Sequence, residues 1–366
     1  MQAAWHRIAR IAAAVTGIMA LSFVSACSSG TDNGATQPAQ SPSANGTTAS
    51  GEPITVVASI NQWGSLAKQI GGEYVDVTSI LASNTVEAHD FEAQTADVAK
   101  ISKAQVVVAN GAGYDAWATK SVTKQTALVT AAGNVGASDG DNPHLWFSKD
   151  ARNAVAQDLA DTYAKLQPDH REYFDEQLAA WQEQEKTLEE QMKDFAAAHK
   201  DGTYAATESV AYYLLADLGM KDVTPKGYAQ AVANDSEPAP ADLNAMQQAL
   251  EGHTADVLVN NPQEASDTTN LVTGVAHKSD VPVVDVTEQM PEEYGTLTDW
   301  IGALVKHFGE ALGQPEAEAD ASGSASTPSG SASAPASDSA SPSPSMSTLG
   351  PVASMSPTAT TGPVRN

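Results

Sequence analysis

The chain has one cysteine, Cys27, in 366 residues. Without a second thiol there is no internal disulfide framework and no thiolate cluster for a metal. Basic residues are also scarce: 19 Lys and Arg stand against 45 Asp and Glu, a formal charge of −26 at neutral pH. With no basic footprint to neutralise phosphates, nucleic acid is excluded as a partner. The acid excess suits a cation ligand, but taken alone it speaks only to solubility. The apolar run at 11–24 is shorter than the ~20 residues that a comfortable membrane span needs.

That run belongs to an export signal. His6, Arg7 and Arg10 make a basic start, the apolar stretch follows, and it closes on Val24-Ser25-Ala26-Cys27, which resembles a bacterial lipobox. Residues 1–27 are therefore expected to be a lipoprotein signal peptide, cleaved so that Cys27 becomes the lipidated first residue. Residues 28–52 are mostly Ser, Gly, Thr, Ala, Pro and Asn, with almost nothing to bury, and should form a flexible tether. Residues 314–366 are a Ser/Pro/Ala tract without periodicity or aromatic residues, expected to be a disordered tail.

Between these ends, apolar β-branched runs alternate with helical patterns. Strands are expected at 54–60, 75–80, 105–111 and 127–130. A helix places Trp63, Leu66, Ala67 and Ile70 on one face and stops at Gly71-Gly72, and another covers 95–104. Residues 149–200 are helical, capped by Asp150 and interrupted at Pro168. Half apolar and half charged, this stretch suits a strut between two lobes. The alternation then repeats, with strands at 203–207, 221–224, 257–260 and 281–286 and helices at 210–218, 241–250, 268–277 and 298–311. The pattern predicts an α/β fold of two lobes, 53–148 and 201–313. Each lobe holds a small parallel sheet of about four strands flanked by helices, and one long backbone helix within 149–200 joins them.

Ligands of parallel α/β sheets bind beyond the carboxyl ends of the strands. The donors expected there are His89 after the second strand, His144 in the loop after the fourth, Glu208 after the first strand of the second lobe, and Asp285 and Glu288 after its last. His144 follows Pro143, which cannot continue a helix and stiffens the turn that presents the imidazole. Singly, each carboxylate in so acidic a chain is an ordinary solvated group. Together, two imidazoles from one lobe and two carboxylates from the other match one divalent transition metal in number and kind. His170, His199, His253, His277 and His307 lie on helical or charged stretches and are expected to be structural or solvated.

The segment Asn142-Pro143-His144-Leu145-Trp146 resembles the Asp/Asn-Pro-His-x-Trp ligand loop of the zinc/manganese class of ABC-transporter substrate-binding proteins. Val86-Glu87-Ala88-His89-Asp90-Phe91-Glu92 resembles a second ligand loop of that family, with Glu87-Ala88 in place of Asp-Pro. Asn110-Gly111-Ala112-Gly113-Tyr114-Asp115-Ala116-Trp117 and Asn260-Asn261-Pro262-Gln263 are also family-like, and the similarity runs from about Ile54 to Leu312. Glu208 stands where many members carry histidine and one branch carries glutamate. No histidine-rich loop lies between Val108 and Asn142, where zinc-importing members often have one.

The resemblance implies a metal set of His89, His144, Glu208 and Glu288, the last aligned through its Thr287-Glu288 step. A shifted register would put Asp285 in its place. It further implies a monomeric, non-enzymatic receptor, held on the extracytoplasmic face of the cell membrane by a lipid anchor at Cys27. That receptor would carry zinc or manganese, with iron(II) also admitted by the ligand types, to an ABC-transporter permease. A metal-dependent hydrolase and an adhesin-type surface lipoprotein are the alternatives on the same scaffold. A hydrolase would need an open metal position for water and a general base.

Overall fold

A computed structural model describes residues 51–83 and 91–313. The expected signal peptide, the lipidation site Cys27, most of the tether, His89 and the tail from 314 lie outside the described residues. Among the described residues, no helix is long and apolar enough to cross a membrane.

In chain order the first lobe runs β1 (Ile54–Ile60), α1 (Asn61–Gly71), β2 (Val75–Leu81), α2 (Thr95–Lys103), β3 (Val106–Ala109), α3 (Ala116–Thr119), β4 (Ala127–Thr130) and α4 (Ala131–Val135). Two helices follow, α5 (Lys149–Leu166) and α6 (Arg171–Ala198). The second lobe runs β5 (Thr203–Ala206), α7 (Tyr212–Asp217), β6 (Lys221–Asp222), α8 (Lys226–Val232), α9 (Pro240–Glu251), β7 (Val257–Asn260), α10 (Asp267–Lys278), β8 (Val283–Asp285) and α11 (Leu297–Leu312).

Each lobe holds a four-stranded parallel sheet, in the order β2-β1-β3-β4 and β6-β5-β7-β8. The two orders are the same: the chain steps outward from the first strand, then returns to build on its other side. The crevice between β1 and β3, and that between β5 and β7, is therefore a topological switch point, where helix N-termini and loops diverge and leave room for a ligand.

Both faces of each sheet are covered, which is why the strands read as continuous apolar runs. Along β1, Val56, Ala58 and Ile60 face one core while Val57 faces another. On β3, Val106 and Val108 point inward and Val107 and Ala109 outward. The second lobe repeats this: Val257 and Val259 lie on the inner side of β7 and Leu258 on the outer. The inner core does not stop at the lobe boundary. It continues from Trp63, Leu66 and Ile70 of α1, through Phe174, Trp181 and Leu188 of α6, to Trp300, Leu304 and Phe308 of α11. A core shared in this way resists hinge bending, because opening the lobes would expose apolar surface along the whole of α6.

The helical stretch 149–200 differs from a single strut. Ser148 caps α5 by accepting from the Ala151 N–H, and the helix ends at Leu166; a short 3-10 turn at Pro168–His170 precedes α6. Proline suits that first turn because its missing N–H would have had no helical partner. The two helices pack against each other, and α6 alone, 28 residues long, is the backbone that runs from one lobe to the other. Helices α3, α4 and α8 were not expected from the sequence; at four to seven residues they are too short to show an apolar period.

Candidate metal site

The loop after β3 is built first. Gly111 adopts φ +80°, and a Cβ there would meet the Ala132 Cβ at 2.7 Å, so only glycine fits. This turn lets Asp115, itself buried, accept from the Asn110 N–H at 2.6 Å and the Gly111 N–H at 2.8 Å. Burial raises the Asp115 carboxyl above the usual carboxylate range, against those hydrogen bonds, which hold it down. Asn110, fixed from below, donates its side-chain amide to the Pro143 carbonyl at 2.7 Å and accepts from the Trp63 indole at 3.1 Å. The residue before His144 is thereby tied to the centre of the first sheet.

His144 is 2% exposed. Its backbone N–H donates to Asn142 Oδ1 at 3.0 Å, and the same oxygen lies 2.9 Å from His144 Nδ1. With Nδ1 donating to that oxygen, the lone pair sits on Nε2, the tautomer a metal ligand needs. Asn142 also reaches across the cleft, donating to the Ser209 carbonyl at 2.8 Å beside Glu208, while Tyr213 donates to the Asn142 carbonyl at 3.0 Å. The side chain that orients the imidazole is thus bonded to the neighbour of a second-lobe carboxylate.

From the second lobe, Glu208 follows β5 and Glu288 follows β8. His144 Nε2 lies 3.6 Å from Glu208 Oε1, and His144, Glu208 and Glu288 each offer a donor atom within 4.8 Å of the others. Donors of a tetrahedral ion at about 2.1 Å stand about 3.4 Å apart, so a small inward movement completes this half-shell. Asn261 spans the carboxylates, donating Nδ2 to Glu208 Oε2 at 2.7 Å and to Glu288 Oε1 at 3.3 Å.

Glu288 is fully buried. It accepts from the Tyr114 hydroxyl at 2.6 Å, and its backbone is held by Gln263 Oε1, 2.7 Å from its N–H, and by Gln62, which donates to its carbonyl. Desolvation first, then the negative charge of Glu288, pushes the Tyr114 phenol well above its ordinary range, so it stays a proton donor to that carboxylate. Asn61 closes the arrangement by pairing with both backbone groups of Met290, at 2.6 and 3.2 Å. The Glu288 turn is therefore held by both lobes.

The expected donors separate clearly. His144, Glu208 and Glu288 come together. Asp285, the alternative, is exposed at the end of β8, accepts from Asn260 at 2.7 Å and is not in the group. His89 lies outside the described residues. The supporting roles of Asn142, Tyr114, Asn261 and Gln263 were not assigned from sequence, although Tyr114, Asn261 and Gln263 sit in the two further family-like segments and Asn142 opens the His144 loop.

The fold is thus two parallel α/β lobes that share one long helix, with one histidine and two carboxylates converging between them. The chain belongs to the ZnuA family, the periplasmic component A of a zinc-uptake complex, matched over residues 56–311. It is 23% identical over 249 residues to the zinc-binding lipoprotein AdcA of Streptococcus pneumoniae, covering 61% of this chain and 48% of that protein. It is 28% identical over 158 residues to the manganese-binding lipoprotein MntA of Halalkalibacterium halodurans, covering 41% and 52%. The chain spans about half the length of the curated relatives it matches. In fold it is similar to a mutant structure of the laminin-binding adhesin Lmb of Streptococcus agalactiae, with a TM-score of 0.61, 19% identity, and 71% of this chain and 100% of that one covered. A crystal structure of ZnuA aligns with a TM-score of 0.59 at 16% identity, covering 72% and 100%.

Proposed function

We propose that the chain is the extracytoplasmic binding component of a divalent-metal importer, capturing zinc or manganese between its lobes and delivering the ion to an ABC permease. The observation that carries this reading is the convergence of His144, Glu208 and Glu288, from both lobes, within 4.8 Å. His89, which follows β2 in the sequence, would supply the fourth ligand. The family is one of substrate-binding proteins, not enzymes, and the metal is cargo. The relatives named for zinc and for manganese support a divalent transition metal. One imidazole and two carboxylates, or two of each, suit either ion, and intrinsic affinity favours zinc at equal supply.

The continuous core along α6 argues that release comes from movement of the ligand loops rather than wide opening of the lobes. A lipid anchor at Cys27 would hold this receptor, as a monomer, on the outer face of the membrane. The adhesin alternative has only a fold likeness behind it, and the hydrolase alternative has no general base assigned beside the donors. Deleting the gene should create a growth requirement for added zinc or manganese. The wild-type gene should restore growth in metal-poor medium, and a His144→Ala copy should not. Equal rescue by both would refute the reading.

A further inference from the structure

The first and second lobes meet the same helix, and one contact on it has no place in the metal set described so far. Arg152, one turn into α5, and Glu185, midway along α6, form an ion pair with side chains 0% and 1% exposed. Both Arg152 Nε, at 2.9 Å, and Nη2 donate to one carboxylate oxygen, Glu185 Oε1. The third direction of the guanidinium is used differently: Nη1 donates to the carbonyl of Trp146 at 3.2 Å.

That carbonyl belongs to the turn that presents His144. The Pro143 carbonyl accepts from the Leu145 N–H and from Asn110, the His144 carbonyl from the Phe147 N–H, and the Leu145 carbonyl from the Ser148 N–H. The fourth, of Trp146, accepts from Arg152. A buried ion pair is weak evidence for stability, because a well-packed apolar pair of similar volume commonly serves as well. An apolar pair could not donate to Trp146. Lysine could not either while also holding Glu185, since it is a single point charge without the planar fork.

We propose that Arg152, held by Glu185, is a positioning residue for metal capture: it fixes the His144 turn to the helix that also carries the second lobe. The inference rests on the reading of His144 as a metal ligand. The long helix α6 packs on α1 and α5 and also on α11. The pair therefore sets where the imidazole stands relative to Glu208 and Glu288.

The test is zinc and manganese titration of the full-length chain against a competing chelator, with thermal unfolding of the metal-free protein measured in parallel. The variants are Arg152→Lys and the double variant Arg152→Met/Glu185→Leu. Both should lose about tenfold in affinity, the lower end for outer-shell changes, with one ion per chain retained. The double variant should unfold at or above the wild-type temperature yet keep the weakened affinity. That separation of affinity from stability is what a purely structural role would not produce. Wild-type affinity in the double variant overturns the proposal, and this holds even if Arg152→Lys fails to fold. A wild-type chain that binds neither ion overturns the metal reading and this inference with it.

Discussion

Replacing Glu288 by glutamine should make the metal-free protein more stable and a poorer metal binder. Glu208 and Glu288 place donor oxygens within 4.8 Å of each other and share the single amide of Asn261. Two unit charges at that separation repel by about 3.5 kcal/mol at an effective dielectric of 20. The Tyr114 and Asn261 donors offset part of this, leaving about 1–2 kcal/mol to be gained when one charge is removed. Glutamine keeps the shape: its oxygen can still accept from Tyr114, and its amide, in place of the Oε1 that accepted the long 3.3 Å bond from Asn261, can donate toward Glu208. The expected rise in unfolding temperature is about 2–8 °C for a domain of this size.

Affinity should fall further than the about 10–100-fold typical of outer-shell changes, because an anionic donor is lost from the ion's own coordination. Differential scanning calorimetry of chelator-treated protein and a competitive zinc titration measure the two quantities. A metal-free Glu288→Gln variant that melts below the wild type would refute the electrostatic reasoning. Undiminished affinity would remove Glu288 from the proposed ligands.

Asn142→Ala removes the acceptor that orients the His144 ring, so zinc affinity should drop about 10–100-fold in the same titration while circular dichroism stays unchanged. Asp285→Asn should leave affinity within error of the wild type, since Asp285 bonds Asn260 outside the donor group. Gly111→Ala forces a Cβ to 2.7 Å from the Ala132 Cβ at a positive φ, and should cost about 1–3 kcal/mol in chemical denaturation while weakening metal binding through the displaced Asn110.

What could be seen beforehand divides along physical lines. The strands β1, β3 and β7 and the apolar face of α1 were legible because buried runs and a 3.6-residue period leave a local mark. Trp63, Leu66, Ala67 and Ile70 are all fully buried, as their spacing required. The short helices α3, α4 and α8 leave no such mark, and β6 shrinks to two residues at the sheet edge. That His144 and Glu208 lie beyond strand ends was legible because strand ends and a proline-stiffened turn leave a mark in the sequence.

The residues alone left Asp285 and Glu288 open, since three residues apart on an irregular turn either could face the cleft; only the resemblance of the Thr287-Glu288 step favoured Glu288. The turn's attachment to Asn61, Gln62 and Gln263, contacts across more than 200 positions in two cases, decides which carboxylate is buried. Arg152 and Glu185 looked like any charges on helices rich in them. Only the packing of α5 on α6 takes them out of water.

The central claim, that donors from both lobes hold one divalent ion, is tested most directly by metal content and competitive titration of the purified chain beside His144→Ala and Glu208→Ala variants. One tightly held zinc or manganese per wild-type chain, lost in both variants, is the predicted result. A wild-type chain that takes up no divalent ion and gains no thermal stability from any would contradict it. So would variants from either lobe that bind as tightly as the wild type.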